Sequence, residues 1–509
     1  MCGFLFATDQ NGPVDRTKCA DLLAGMSWRG PDASEVVANP EGSAVLAHCR
    51  LAIVDPLARS DQPMRSACGR YWIAFNGEIY NHLEIRRRLA LACRTGSDTE
   101  TILEAYAKVG NQAFELLDGM FALVIFDEVS GAWVAARDAF GIKPLFYSFK
   151  ADQVCIASEA SAVAKYFQRP VCEQSLEEWR LIRAPMPGYS FFQQVREVPP
   201  GTLLASDGMT SRFWDWTPGD TPFDQARFED TLRTSVKDHE LGDVSNVSLV
   251  SGGLDSSILT VLSSVERAYS VGMPDNNEFD GAREATDLAG CELATVSLSA
   301  GELEASWGEL ARLRGEPLSV PNEGLIHAVC KAMIPSEKVV LTGEGADELL
   351  FGYDNIFRWM SESKEFCPRQ FLLRYGYSEQ EPTERLLDHV SEMARGLSPI
   401  HFCEDFFLQI HLPILLRRMD FGSMSASREA RVPFVCKKLA RQLYRLPIEL
   451  KLNAVESKIP LRHFARKLGL HGTLERAKIG FSARVEGVSG RHTEYAKFQN
   501  LNMEALGWS

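Results

Sequence analysis

"LVSGGLDSS", Leu249 to Ser257, sets two glycines and three serines between an apolar run and a helical pattern. Glycines let backbone N–H groups approach an oligophosphate closely, and the helix start adds favourable partial positive charge. Asp255 in the same loop would repel phosphate unless a divalent cation lay between them. Its presence therefore points to magnesium, which combines one or two carboxylates with phosphate oxygens. The same logic recurs in "VVLTGEGADELLFGY", Val339 to Tyr353, where an apolar run enters a Gly-x-Gly turn carrying Glu344, Asp347 and Glu348. Either loop alone reads equally as an ordinary glycine turn. Two such strand ends on one parallel sheet are expected to face one site, because ligands of open α/β folds lie at the carboxyl ends of strands.

The text around these loops alternates strand and helix, as in "NVSLV", "SSILTVLSSV" and "AYSVGM", which predicts a parallel sheet with crossover helices. From Asn355 onward the periodicity is largely helical. Toward the N-terminus the grammar differs. Short apolar runs dominate up to about Phe167, among them "SAVLAH", "RYWIAFNG", "MFALVIFD", "AWVAARD" and "QVCIASEA", and they read as strands. Two helical patterns, "NHLEIRRRLALA" and "DTETILEAYAKVG", interrupt them, which makes an α+β domain with antiparallel sheets. A Pro/Gly-rich passage with "APMPGYS", "VPPGT" and "WTPGDTPFD" is expected to connect the halves, giving domains at 2–210 and 211–509.

With 54 Lys and Arg against 68 Asp and Glu, the chain carries a formal charge of −14, so no long-range attraction draws it to nucleic acid or anionic lipid. The 12 cysteines form no Cys-x-x-Cys pair and the ten histidines no ligand-spaced cluster with them, which argues against zinc and suggests a reducing cytoplasm. No stretch approaches the ~18 apolar residues of a membrane span, and "GFLFA" lacks a basic leader. A soluble, cytoplasmic protein without membrane or nucleic-acid partners is the expectation.

The chain opens "MCGFLF". Removal of Met1 would leave Cys2 with a thiol and an α-amine, groups that titrate near ~8.5 and ~7.7–8.0. Such a residue carries its own nucleophile and base, although a small buried hydrophobe is the plainer reading of a lone cysteine.

The remaining motifs bear on that choice. "MCGF", "RGPD", "HCRLAIVD", "QPM", "FNGEIYNH", "SDTE", "LDGMFALVIFD", "ARDAFGIKPLFY" and "ASEA", then "SGGLDSS", "TGEGADELLFGY", "EARVPF" and "KIPLR", follow one another in order. Together they resemble the glutamine-dependent asparagine synthetase family. That resemblance implies an αββα sandwich of the N-terminal-nucleophile glutaminase type, followed by an α/β parallel-sheet ATP-pyrophosphatase domain with a helical C-terminal part. It implies that Cys2 attacks the amide of glutamine, with Asn76 and the Gly77 N–H as the oxyanion hole. Arg50, Asn76, Glu78 and Asp98 match the positions that hold glutamine. Val250, Ser251, Gly252, Gly253, Ser256, Val271 and Gly343 match the ATP site, and Asp255 and Asp347 the Mg2+ ligands. Glu344 is the candidate base for amide formation, and Lys478 resembles the lysine that steadies charge on the phosphates. Lys458 of "KIPLR" is read equally as a second such lysine or as a solvated cation, and His48 as a core histidine. The implied chemistry converts a carboxylic acid acceptor, aspartate or another acid, to its adenylate, which ammonia passed through the interior turns into an amide. A homodimer is compatible with the resemblance.

Two places depart from the family pattern. "RVPF" continues with Val435-Cys436 where Leu-Asp is usual, and "GEPLSVPNEGLIHA" (Gly315 to Ala328) reads differently before the second loop. Both are expected to support the acceptor side, so an acceptor other than aspartate stands beside aspartate. A relative that binds nucleotide without turnover is the reading from another class.

Overall fold

The computed structural model describes residues 2–476 and 490–508. Its first half contains strands β1 (Cys2–Asp9), β2 (Ala33–Ala38), β3 (Ala44–Arg50), β4 (Met64–Arg65), β5 (Tyr71–Ile79), β6 (Gly119–Asp127), β7 (Trp133–Arg137), β8 (Phe146–Lys150), β9 (Gln153–Ala157), β10 (Arg196–Glu197), β11 (Thr202–Ala205) and β12 (Thr210–Arg212). They make two six-stranded antiparallel sheets, ordered β10-β8-β9-β1-β3-β2 and β12-β11-β7-β6-β5-β4.

The period of two along a strand explains how the sheets stack. In β1, Phe4 and Phe6 enter a core shared with Ala122 and Val124 of the other sheet. Leu5 and Ala7 enter the opposite core with Cys19, Leu23 and Val163 of two helices. Cys2 has the parity of Phe4 and Phe6. On the far side of the second sheet, Ile73, Phe75 and Leu123 meet Ile85, Ile102 and Leu103 of helices His82–Leu89 and Asp98–Val109. The layers therefore run helix, sheet, sheet, helix, as expected.

The second half holds β13 (Ser245–Leu249), β14 (Arg267–Gly272), β15 (Glu292–Ser297), β16 (Glu337–Leu341) and β17 (Glu429–Arg431) in a parallel sheet ordered β15-β14-β13-β16-β17. Helices cover both faces. Val247 and Val340 pack with Ile326 and Phe421, and Ala268 and Leu341 with Ile258 and Ala282. Burial on both faces is why these strands read as apolar runs. The helical part gathers Phe357, Phe371, Phe402 and Phe406 into a further core. There the helix Pro399–Phe406 passes through a π-helical turn, Phe407–His411, into Leu412–Met424.

The Pro/Gly-rich passage is not a plain connection. Its residues up to Arg212 supply β10 to one sheet and β11 and β12 to the other, leaving a much shorter crossing. Prolines at strand edges leave no ladder donor unmet, so the composition that suggested a linker also suits edge strands. Buried ion pairs join the halves. Arg29 Nη2 lies 2.8 Å from Asp420 Oδ2, Lys143 Nζ 3.2 Å from Asp420 Oδ1, and Arg431 Nη2 3.0 Å from Glu78 Oε2. All twelve cysteines are free thiols. Among the described residues no helix is long and apolar enough to cross a membrane.

Candidate functional site

Two clefts carry the residues singled out in the sequence. The first is small, about 30 Å³, and is lined by Cys2, Arg50, Gly77, Glu78 and Asp98 among others. Asn76 and Gly77 sit within β5, paired with Ala122 and Phe121, and not in a hairpin turn. The Cys2 backbone nitrogen donates to Asn76 Oδ1 at 2.9 Å. That bond fixes the amide, and its Nδ2, buried and without a hydrogen-bond partner, remains an uncommitted donor. Burial pushes the Cys2 thiol up, against the Leu51 backbone hydrogen bond and the Arg50 charge. A thiol held in this way needs a base to become a nucleophile.

Glu78 and Asp98 line the same cleft. Asp98 accepts from Ile79 N at 2.9 Å and Thr99 N at 2.8 Å. Burial and then Asp98 push the Glu78 carboxyl well above its usual range, with Arg431 working the other way, and Glu78 Oε1 has no partner. A buried pair of carboxylates with an uncommitted oxygen suits an ammonium ligand. Arg50 is more occupied than the sequence suggested. Its Nη1 donates to Leu57 O at 3.0 Å and Asp61 Oδ1 at 2.6 Å, and its Nη2 to Val54 O at 3.2 Å and Asp55 O at 2.7 Å. It folds the 54–61 loop over the cleft. Gln62 was not singled out, yet it lines the cleft and joins Phe75 N (2.7 Å) to Thr99 Oγ1 (3.3 Å). His48 lies in the core, with Nε2 3.0 Å from Phe75 O.

The second cleft is about 420 Å³ and opens at the carboxyl ends of β13 and β16. Val250, Ser251, Gly253, Asp255, Ser256, Val271, Gly343, Glu344 and Asp347 line it. Gly252 does not. It turns the loop at φ +81°, where a Cβ would stand 2.7 Å from the Glu278 carbonyl oxygen. Ser256 Oγ accepts from Ser251 N at 3.1 Å, and Ser251 Oγ from Gly253 N at 3.3 Å, so the serines brace the loop ahead of helix Leu254–Leu262.

Asp255 and Asp347 converge on one cation. Lys458 Nζ lies 2.5 Å from Asp255 Oδ2 and 2.6 Å from Asp347 Oδ1. Burial opposes its charge, but the two carboxylates hold the ammonium above its usual range. A Cβ on Gly352 would collide with both Asp347 and Lys458, which accounts for the glycine in "LLFGY". Of the two readings of Lys458, the solvated cation is ruled out by its burial. Lys478 lies outside the described residues.

The partners that surround Glu344 and Glu348 in the distal half of this cleft were not legible in the sequence. Glu344 forms an ion pair with Arg418, whose Nη1 is 3.5 Å from Asn322 Oδ1. Burial, then Asp347, pushes the Glu348 carboxyl up to about 8, against the Tyr353 hydroxyl that donates to it at 2.6 Å. Tyr353 OH is 2.9 Å from His411 Nε2, and His411 Nδ1 is 2.7 Å from Tyr375 OH and 2.9 Å from Arg183 Nη2. Arg183 comes from the segment leaving helix Glu173–Ile182, and no local pattern marks it. Cys436 is not among the lining residues; it precedes helix Lys437–Leu443, so its departure from the family pattern does not reach this cleft directly.

Comparison with known proteins matches residues 1–215 to a glutamine amidotransferase domain and residues 227–501 to an asparagine synthase domain. Asparagine synthetase [glutamine-hydrolyzing] 1 of Bacillus subtilis is 28% identical over 551 residues, covering 94% of this chain and 87% of that protein. Asparagine synthetase B [glutamine-hydrolyzing] of Escherichia coli is 30% identical over 371 residues, covering 66% of this chain and 62% of that one. Asparagine synthetase [glutamine-hydrolyzing] 2 of Arabidopsis thaliana is 29% identical, covering 72% and 63%.

Proposed function

The chain belongs to the asparagine synthase family, and from that membership we propose how its two clefts divide a glutamine-dependent, ATP-consuming amide synthesis. It is an asparagine synthetase-like glutamine amidotransferase.

The small cleft hydrolyses glutamine. The α-amine of a mature Cys2 takes the thiol proton, Sγ attacks the side-chain amide carbon, and the oxyanion is met by Asn76 Nδ2 and the Gly77 N–H. Ammonia leaves, and water releases glutamate from the thioester. Glu78 and Asp98 hold the α-ammonium of glutamine, while Arg50 meets its carboxylate in exchange with Asp61, the partly exposed partner. The observation that carries this reading is that Glu78 Oε1, buried and uncommitted, lines one small cleft with Cys2, whose backbone nitrogen bonds Asn76, a residue with its own uncommitted buried Nδ2.

In the large cleft the loop Ser251–Ser256 takes the phosphates of ATP, with Val250 and Val271 beside the adenosine. Asp255 and Asp347 fit magnesium, because two hard oxygen ligands already converge on a single positive charge. When bound, the metal would neutralise charge on the phosphates. The acceptor carboxylate attacks the α-phosphorus and pyrophosphate leaves. Ammonia then attacks the acyl carbon of the adenylate, AMP leaves, and Glu344 receives the proton shed by nitrogen.

Aspartate is the first candidate acceptor. A bulkier acid is the second, favoured by the aromatic and apolar lining of the distal half by Tyr353, Tyr377, Leu415 and Met419. A screen of carboxylic acids, each labelled with heavy oxygen and assayed with ATP and ammonium, tests the assignment. The true acceptor transfers one labelled oxygen to AMP. Label in inorganic phosphate, with ADP as co-product, would overturn the adenylate route.

A further inference from the structure

A second cavity of about 270 Å³ shares a wall with the large cleft. The helix Leu412–Met424 contributes Ile414 and Arg417 to this cavity and Leu415 and Arg418 to the cleft. The π-helical turn before it does likewise, lining the cavity with Ile410 and the cleft with His411. None of the residues assigned above to the amide synthesis lines this cavity.

Its chemistry is specific. Phe140, Trp214 and Trp216 form one aromatic group, with centroids 4.7 Å apart for Phe140 and Trp214 and 5.2 Å for the two tryptophans. Trp214 is only 9% exposed, and its indole N–H is buried without an acceptor. Buried tryptophans ordinarily find one. Arg417 commits Nη2 to Glu316 at 2.5 Å, and its Nε and Nη1 make no hydrogen bond among the described residues. The arginines around the cavity are each ion-paired, Arg417 with Glu316, and Arg137 with Glu197 and Arg212 with Asp215 at 2.9 Å each.

The geometry points to a binding site for a small aromatic carboxylate. The uncommitted polar groups are donors, the Trp214 N–H and two nitrogens of the ion-paired Arg417 guanidinium, so the ligand must bring acceptors, and a carboxylate oxygen makes the stronger, charge-assisted bond to Arg417. Flat rings on the walls call for a flat apolar body. The volume lies near the lower end of ligand pockets, about 300 Å³, which limits the body to one ring system with a short acid arm.

Calorimetric titration of the full chain with indole-3-acetate tests this, with a non-hydrolysable ATP analogue filling the large cleft and with indole and acetate as separate controls. One equivalent of indole-3-acetate should bind, and neither control should. Trp214→Phe, which keeps an aromatic side chain and removes the N–H, should weaken binding about tenfold or more, the loss expected for one hydrogen bond to a charged group. Ile414→Phe, which fills the space and touches no polar contact, should abolish it, and covers the case in which Trp214→Phe misfolds. Absence of saturable binding up to about 10 mM would overturn the assignment. So would binding unchanged in a folded variant, or binding lost to the ATP analogue.

Discussion

Arg431 of the second half reaches the wall of the small cleft, with Nη2 3.0 Å from Glu78 Oε2. Its Nε also bonds Glu429 at 2.5 Å, and its carbonyl accepts from Thr342 N at 2.9 Å, one residue before Gly343 of the nucleotide cleft. A single residue thus touches an element of each site. Changing Arg431 to Met should destabilise the protein by about 3–5 kcal/mol, because two buried carboxylates lose their common partner. Chemical denaturation measures it, and a loss under about 1 kcal/mol would contradict the structural role.

Lys458 stands where the proposed metal would sit. With its ammonium between Asp255 and Asp347, metal and lysine compete for the same oxygens. Lys458→Met should therefore bind magnesium more tightly than the parent in the absence of ATP, by about tenfold or more, seen as a larger rise in melting temperature on titration. Equal magnesium stabilisation in both proteins would remove the two aspartates as a metal pair. Synthetase turnover should fall while glutamine hydrolysis remains.

Glu348 makes stability depend on pH in an unusual direction. Its carboxyl is raised from 4.5 to about 8, so the folded state holds a proton that the unfolded state has released. Its contribution is fully present below pH 4.5 and is lost as pH rises through about 8. Glu348→Gln keeps an acceptor for Tyr353 and removes the titration. Relative to that variant, the parent should lose stability by at most about 1.4 kcal/mol per pH unit between about pH 6 and 8. Parallel stability profiles would show that Glu348 is ionised in the fold.

Asn76→Ala removes both the Nδ2 donor and the acceptor that positions Cys2. Glutamine hydrolysis should fall about 100- to 1,000-fold in kcat. Ammonium-dependent synthesis should be untouched, and hydrolysis within a few-fold of the parent would exclude Asn76 from the oxyanion hole.

Local patterns served well where a residue's neighbours in sequence are also its neighbours in space. The strands of "MFALVIFD" and "NVSLV" and the glycine turns after β13 and β16 are of this kind, and the two turns located one side of the large cleft. Distant partners were not legible. Arg183, Tyr353 and His411 meet across separate elements, and Arg431 meets Glu78 from another domain. Lys458 shows the same limit. Its motif was visible, but its place between two aspartates depends on a left-handed residue at φ 54° and on Gly352, features that only the folded chain displays. Strands as short as β10 and β12 carry no periodicity, so the Pro/Gly-rich text around them read as linker.

The central claim is that ammonia is made at Cys2 and consumed in a separate cleft. Cys2→Ala, assayed for AMP and amide with glutamine and with ammonium salts as alternative nitrogen sources, tests it most directly. The account predicts that synthesis from glutamine disappears while synthesis from ammonium continues at the parent rate. Loss of both in a variant that melts like the parent, or survival of glutamine-dependent synthesis, would contradict it.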